Sequence, residues 1–113
     1  MPFANPCERA IHFAKHGHKF GAPDEFDYER MADLFMGGPL GPDTRECQRP
    51  VSPTTGEQDR VRFDFGKHYQ GVACIAPAYI RTFYPVELRF IRKHGGEAGY
   101  FAQECGRMAG VNL

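Results

Sequence analysis

Apolar positions in the first third of the chain recur at helical spacing. Cys7, Ala10, Ile11 and Ala14 follow the i, i+3, i+4, i+7 rule and predict the buried stripe of a first helix. Asn5 stands ready as its cap, Pro6 fits the first helical position, Glu8 is placed to complete a capping box, and Gly17 ends it. At about 100° per residue, His12 and His16 fall one turn apart on the side opposite that stripe. A second helix is predicted from Glu25 to Met36, capped by Asp24, with Tyr28, Met31, Ala32 and Phe35 on its apolar side and Gly37-Gly38 as its stop. Its acidic start (Asp24, Glu25, Asp27, Glu29) suits a helix N-terminus and reads as a solvated face.

Residues 37 to 59 are rich in glycine and proline, which predicts little regular structure and a loop that is either a functional flap or a mobile segment. The period then changes to two. Val61, Phe63 and Phe65 alternate with Arg60, Arg62 and Asp64, as in a half-buried strand. Gly66-Lys67-His68 supplies a hairpin turn, Tyr69 to Ala76 a second strand, Pro77-Ala78 another turn, and Tyr79 to Tyr84 a third strand ended by Pro85. Residues 86 to 93 and 97 to 107 are short helices separated at Gly95-Gly96. The pattern predicts an α+β fold with N-terminal helices packed on a small antiparallel β-sheet.

Composition adds limits. A chain of 113 residues, 42% hydrophobic and 25% charged, is within the range of one globular domain, which excludes wholesale disorder and a fibrous repeat. No apolar run approaches a membrane span, and the start MPFANPCERA lacks the features of a secretory signal, so no membrane partner is expected. The zero net charge is uneven: residues 1–59 carry six basic and ten acidic side chains, residues 60–93 seven and two, residues 94–113 one and two. The local excess of +5 is a footprint of polyanion binding. Cys7, Cys47, Cys74 and Cys105 form no C-x-x-C pair, which argues against a zinc ribbon and predicts reduced, mostly buried thiols in a cytosolic setting.

A sheet bearing Arg62, Arg81, Thr82 and Tyr84 beside a helix bearing His12, Lys15 and His16 holds the parts for cleaving RNA without a metal. One group takes the proton of the ribose 2′-hydroxyl, another protonates the departing 5′-oxygen, and cations or hydrogen-bond donors steady the phosphate. Strand alternation sets a condition: Ile80, Thr82 and Tyr84 share one face and Tyr79, Arg81 and Phe83 the other, so Arg81 and Thr82 reach one site only if the strand is twisted or bulged. A single catalytic face favours Thr82 with Tyr84, Arg81 then binding RNA backbone or organising the sheet. The bland alternatives are an exposed histidine pair with no role or an i, i+4 metal site lacking a third ligand, cross-strand pairing of Arg62 and Arg81 with Asp64, and aromatic residues that serve only the core. His68 reads as a turn residue, His94 as a helix C-terminal histidine, and Glu97 and Glu104 as weak candidates for a general base. Lys67, Arg89, Arg92 and Lys93 offer at most nonspecific phosphate contacts.

His12-Phe13-Ala14-Lys15-His16-Gly17, Arg62-Phe63-Asp64, Ile80-Arg81-Thr82-Phe83-Tyr84-Pro85, and His94-Gly95 followed by Gly99-Tyr100-Phe101 together resemble small toxin nucleases of the barnase, EndoU, colicin and RelE-like superfamily. The similarity is to the terminal domains of polymorphic and contact-dependent inhibition toxins and to phage relatives, and it runs from Ile11 to Glu104. It implies a single toxin nuclease domain over residues 1–113, with a helical part at about 6–36, a loop at 37–59, and a sheet and C-terminal part at 60–113. It further implies an endoribonuclease acting on tRNA or other structured RNA and giving a 2′,3′-cyclic phosphate, with no cofactor and no metal. His12, His16, Thr82, Tyr84 and Arg81 are its catalytic candidates, and Lys15, Arg62 and Lys67 its substrate-binding ones. The implied partners are RNA, a cognate immunity protein and a host activator. The implied place of action is the cytoplasm of a target cell, after delivery as cargo of a larger protein. Two other functions fit the same residues: a noncatalytic RNA-binding or protein-interaction module built on the basic sheet, and a metal-dependent nuclease using His12 and His16.

Overall fold

The structure, a computed structural model, describes residues 1–50, 53–107 and 109. Asn5 starts helix α1 (Pro6–His16) from an extended backbone, its side chain accepting the Glu8 N–H at 2.9 Å, with Pro6 in the first turn. Asp24 does the same for α2 (Glu25–Gly37), accepting the Asp27 N–H at 2.8 Å. Between them the chain tightens into a 3-10 turn, Gly17–Phe20.

The buried side of α1 is the reverse of the predicted one. Cys7, Ala10, Ile11 and Ala14 are exposed, while Arg9, His12, Phe13 and His16 are partly covered. Hydrophobic periodicity counts positions, whereas burial follows area. Two alanines and a cysteine offer little of it, while an aromatic ring, two imidazoles and an arginine stem offer more. Arg9 is drawn in by Glu25 at 2.9 Å and Glu29 at 3.9 Å, His12 stacks on Phe3 with ring centres 5.5 Å apart, and Phe13 meets Tyr28 at 6.2 Å. The acidic start of α2 is therefore only in part a solvated face, since Glu29 also accepts the Phe3 N–H.

The segment predicted as a flap or a mobile loop with little regular structure contains an edge strand, β1 (Thr44–Gln48), antiparallel to β2 (Asp59–Asp64) from Thr44 opposite Asp64 to Gln48 opposite Arg60. Thr-Arg-Glu-Cys-Gln carries no apolar alternation because it lies at a sheet edge. Its Cys47 is bonded to Cys105, so the expectation of reduced thiols is corrected for that pair. Cys7 is free and exposed, Cys74 free and buried. β2, β3 (Tyr69–Cys74) and β4 (Tyr79–Pro85) complete the sheet, so the predicted three-stranded meander becomes a four-stranded one in the order β1-β2-β3-β4. The β2–β3 turn is held by Asp64, which accepts the N–H groups of Gly66 and Lys67 at 2.8 Å each, with His68 at φ +62°.

β4 is bulged. Val72 pairs with Thr82 and the next residue, Ala73, with Ile80, so Arg81 is the extra residue. Ile80 and Phe83, three apart, consequently share one core with Phe3, Ala22, Tyr28 and Ala32, between the sheet and the N-terminal helices. Phe20 stacks on Phe83 at 4.2 Å, and the Tyr28 O–H donates to the Phe83 carbonyl. At Gly71 a Cβ would lie 2.4 Å from the Met36 sulfur, so glycine is what lets α2 lie this close to β3. A second core, Phe63, Val86, Ile91 and Tyr100 with Phe65, Tyr84 and Phe101, includes residues of α3 (Leu88–Lys93) and α4 (Glu97–Cys105). The arrangement is α+β, its helices placed before and after one antiparallel sheet.

Candidate functional site

The exit of β4 is where the two helical parts meet. His16, in the last turn of α1, lays its ring on Tyr84, with centres 5.2 Å apart and planes 28° off parallel. Tyr84 faces Gln70 across the β3–β4 ladder, and the Gln70 amide donates to the Tyr84 hydroxyl at 3.0 Å and to Glu104 Oε1 at 3.2 Å. Tyr100 donates to the same oxygen at 3.0 Å. Glu104 is 2% exposed and pairs with Arg107 and, at 3.7 Å, with Arg49, whose Nε also donates to the Glu104 carbonyl at 3.1 Å. A buried carboxylate is tolerable only with such partners.

These residues border a cleft of about 220 Å³. His16 and Lys19 from the first helical part line it together with Tyr84, Val86, Phe90, His94, Tyr100, Glu104 and Arg107. His94 ends α3, and its carbonyl is approached so closely by Gly99 that a Cβ there would lie 1.9 Å away. α4 can dock against α3 at this point only through glycine.

Burial pushes the His16 imidazole down to about 4, helped by Lys19, His12, Lys15 and His18, so the ring is neutral at neutral pH. Both its nitrogens are buried with no hydrogen-bond partner among the described residues. Burial also raises Tyr84 and Tyr100, with the Glu104 charge adding to each, and both phenols stay protonated. The cleft thus offers a neutral imidazole, a second histidine, two cations and two neutral hydroxyls.

Of the residues singled out in the sequence, His16 and Tyr84 meet in this cleft. His12 does not line it: its ring centre is 6.1 Å from that of His16, and its Nε2 is 3.6 Å from the Glu8 carboxylate. Burial lowers the His12 imidazole, with Glu8 opposing. Lys15 is exposed on α1. Thr82 is fully enclosed, its hydroxyl without a hydrogen-bond partner among the described residues, which removes it from contact with a substrate phosphate. The bulge releases Arg81 from strict alternation, yet its guanidinium is taken by Asp59 at 2.7 Å and Glu57 at 2.5 Å. Arg62 is 6% exposed and binds the Phe35 and Gly38 carbonyls at 2.8 and 2.7 Å and Glu46 at 3.0 Å, which ties the end of α2 to the sheet. Lys67 sits at the β2–β3 turn beside a different, shallow hollow formed by Phe20, Leu34 and Phe35. The basic surface expected over 60–93 is therefore largely neutralised where it meets the sheet: Arg60 and Arg62 pair with Glu46, and Arg81 with Glu57 and Asp59.

Sequence reasoning missed Lys19, Tyr100 and Arg107 and set aside His94 and Glu104. A signal existed: Tyr100 and Glu104, at i and i+4, share one face of α4, and Arg107 follows two residues past its end. Among the described residues no helix is long and apolar enough to cross a membrane, and no group of three or more His, Cys, Asp or Glu is gathered to hold a metal ion. Compared with protein-family profiles, curated proteins and solved structures, the chain matches none.

Proposed function

We propose that the chain is an endoribonuclease that cleaves tRNA or other structured RNA with its own side chains as acid and base, at the cleft around His16. The observation that carries the reading is His16 itself. It is a buried imidazole with both ring nitrogens unpartnered, held neutral at neutral pH, in a cleft that also presents Lys19, Arg107 and His94.

In the proposed reaction neutral His16 takes the proton of a ribose 2′-hydroxyl, and the 2′-oxygen forms a bond to the adjacent phosphorus. The bond from phosphorus to the 5′-oxygen breaks, and that oxygen receives its proton from His94. The products are a 2′,3′-cyclic phosphate and a free 5′-hydroxyl. Lys19, with the terminal N–H groups of Arg107 that its Nε–Glu104 ion pair leaves over, holds the non-bridging oxygens as charge builds on them. The chemistry is the one implied by the motif resemblance, with the second histidine reassigned from His12 to His94. The same cationic mouth is where an acidic immunity protein would act.

The competing reading, a noncatalytic module that binds RNA on a basic sheet, loses ground because Arg60, Arg62 and Arg81 are spent in ion pairs. Incubation with total tRNA, with and without chelator, tests the proposal. Chelator-resistant cleavage leaving 2′,3′-cyclic phosphate ends is expected, falling by about 10²-fold or more in His16→Ala with the circular dichroism unchanged. Full activity in both His16→Ala and His94→Ala, or no product from either purified tRNA or a cell extract, overturns it.

A further inference from the structure

We propose that Gln70, acting through Tyr84, is a positioning residue for the His16 imidazole, so that a hydrogen bond within the sheet sets where the ring stands. The inference rests on the ribonuclease reading for the reaction that the ring serves. Its own basis is the way the ring is held.

A histidine that exchanges protons is ordinarily oriented by a hydrogen bond to one ring nitrogen, which leaves the other for the reaction. His16 has no such bond, since neither nitrogen has a partner among the described residues. Its ring is located by stacking instead: on Tyr84 at 5.2 Å, with the planes 28° apart, and beside His12 of the same helix at 6.1 Å. An imidazole placed in this way is only as well placed as the ring it lies on. The orientation of Tyr84 therefore decides where the two nitrogens point.

Tyr84 is fixed at its hydroxyl end. It stands opposite Gln70 in the β3–β4 ladder, and the Gln70 amide donates to its hydroxyl at 3.0 Å. The same nitrogen donates to Glu104 Oε1 at 3.2 Å. That carboxylate decides which way the amide is turned, because an acceptor can face the NH2 group but not the carbonyl. With the nitrogen so directed, the Gln70 carbonyl oxygen is buried and has no hydrogen-bond partner among the described residues. At 1% exposure this is a cost that an apolar side chain would not incur. Glu104 keeps Tyr100, Arg49 and Arg107 without the amide, so what Gln70 alone supplies is direction. The contacts run from Glu104 on α4 through Gln70 and Tyr84 to His16 on α1, joining the two helical parts at the ring that takes the proton.

Gln70→Leu and Tyr84→Phe break the same hydrogen bond from opposite ends, and neither residue exchanges a proton in the proposed reaction. Tyr84→Phe keeps the ring and the core around it, so it reads the bond even if Gln70→Leu does not fold. The experiment records the carbon-bound ring protons of His16 by NMR, and kcat and KM for purified tRNA, below the thermal transition of each variant. In the native chain these resonances are displaced upfield by the Tyr84 ring current. In each variant they are expected to move towards the values of a free histidine, with kcat down by about tenfold and KM unchanged. The double variant should lose no more than the worse single one, because one bond is removed only once. Unmoved His16 resonances, or a lowered melting temperature with kcat intact, overturn the positioning role even if RNA is cut. A double loss equal to the product of the single ones overturns the path through Tyr84. Absence of cleavage by the native chain overturns the ribonuclease reading alone, and the resonances then decide whether Gln70 orients the ring.

Discussion

His16 titrates against the fold. In the unfolded chain its imidazole takes a proton near the ordinary value of 6.5, whereas in the folded protein burial delays this to about 4. The unfolded state therefore binds more protons throughout that window, and stability falls as pH drops from about 6.5 towards 4, below which no further loss comes from this group. His12, lowered in the same direction, adds to the slope. Thermal unfolding followed from pH 7 to 4 should show a shallower decline in His16→Gln than in the native sequence; parallel curves would exclude the buried, neutral state. Glu104 makes the opposite demand. It is a charge kept in the interior by Arg49, Arg107, Gln70 and Tyr100. Glu104→Ala removes the carboxylate that Arg107 and Arg49 share, leaving Arg49 with Asp59 at 4.0 Å and the residue 104 carbonyl, and should cost about 3–5 kcal/mol in urea unfolding. A loss under 1 kcal/mol would mean that the arginines find solvent.

At the scale of elements, the sequence announced what local chemistry decides and hid what distant partners decide. The caps Asn5 and Asp24, the hairpin turn at Gly66-Lys67-His68 and the stop at Pro85 act within a few residues and were legible. β1 was not, because its only apolar support comes from lying beside β2. The orientation of α1 was misread because three of the four residues in its predicted stripe are small, and Arg9, His12 and Phe13 gain more from Glu25, Phe3 and Tyr28 than Cys7, Ala10, Ile11 and Ala14 gain from burial. Phe13→Ala should accordingly cost about 2 kcal/mol, while Ile11→Ala, on the exposed side, should stay within about 0.5 kcal/mol. Chemical denaturation measures both, and a reversed order would restore the predicted stripe. Of the candidate site, His16 and Tyr84 were visible as motif residues. Glu104 and His94 were named but set aside and Lys19 was missed, since a cleft between helices separated by the whole sheet has no signature in any one window of sequence.

Taken whole, the molecule is one sheet with a core on each side, α4 being tied to the far edge by the Cys47–Cys105 bond across 58 residues of sequence. Closing a loop of that length restricts the unfolded chain enough to contribute about 2–4 kcal/mol. Cys47→Ser should lower the urea midpoint by a corresponding amount under oxidising conditions, and the native sequence under reductant should fall to the same value. If it does not, the tie is absent in solution. The bond also divides the chain mechanically. Residues 47 to 105 form a closed ring that holds β2, β3, β4, Tyr84 and Glu104, whereas α1 with His16 hangs outside it. Tension on the two ends, as in threading through a narrow pore, would strip away α1 and α2 and then stall at the ring, with about 200 Å of contour length still locked until a thiol opens it. The two halves of the cleft would part first, so an oxidised chain under load loses its cleft long before it loses its sheet.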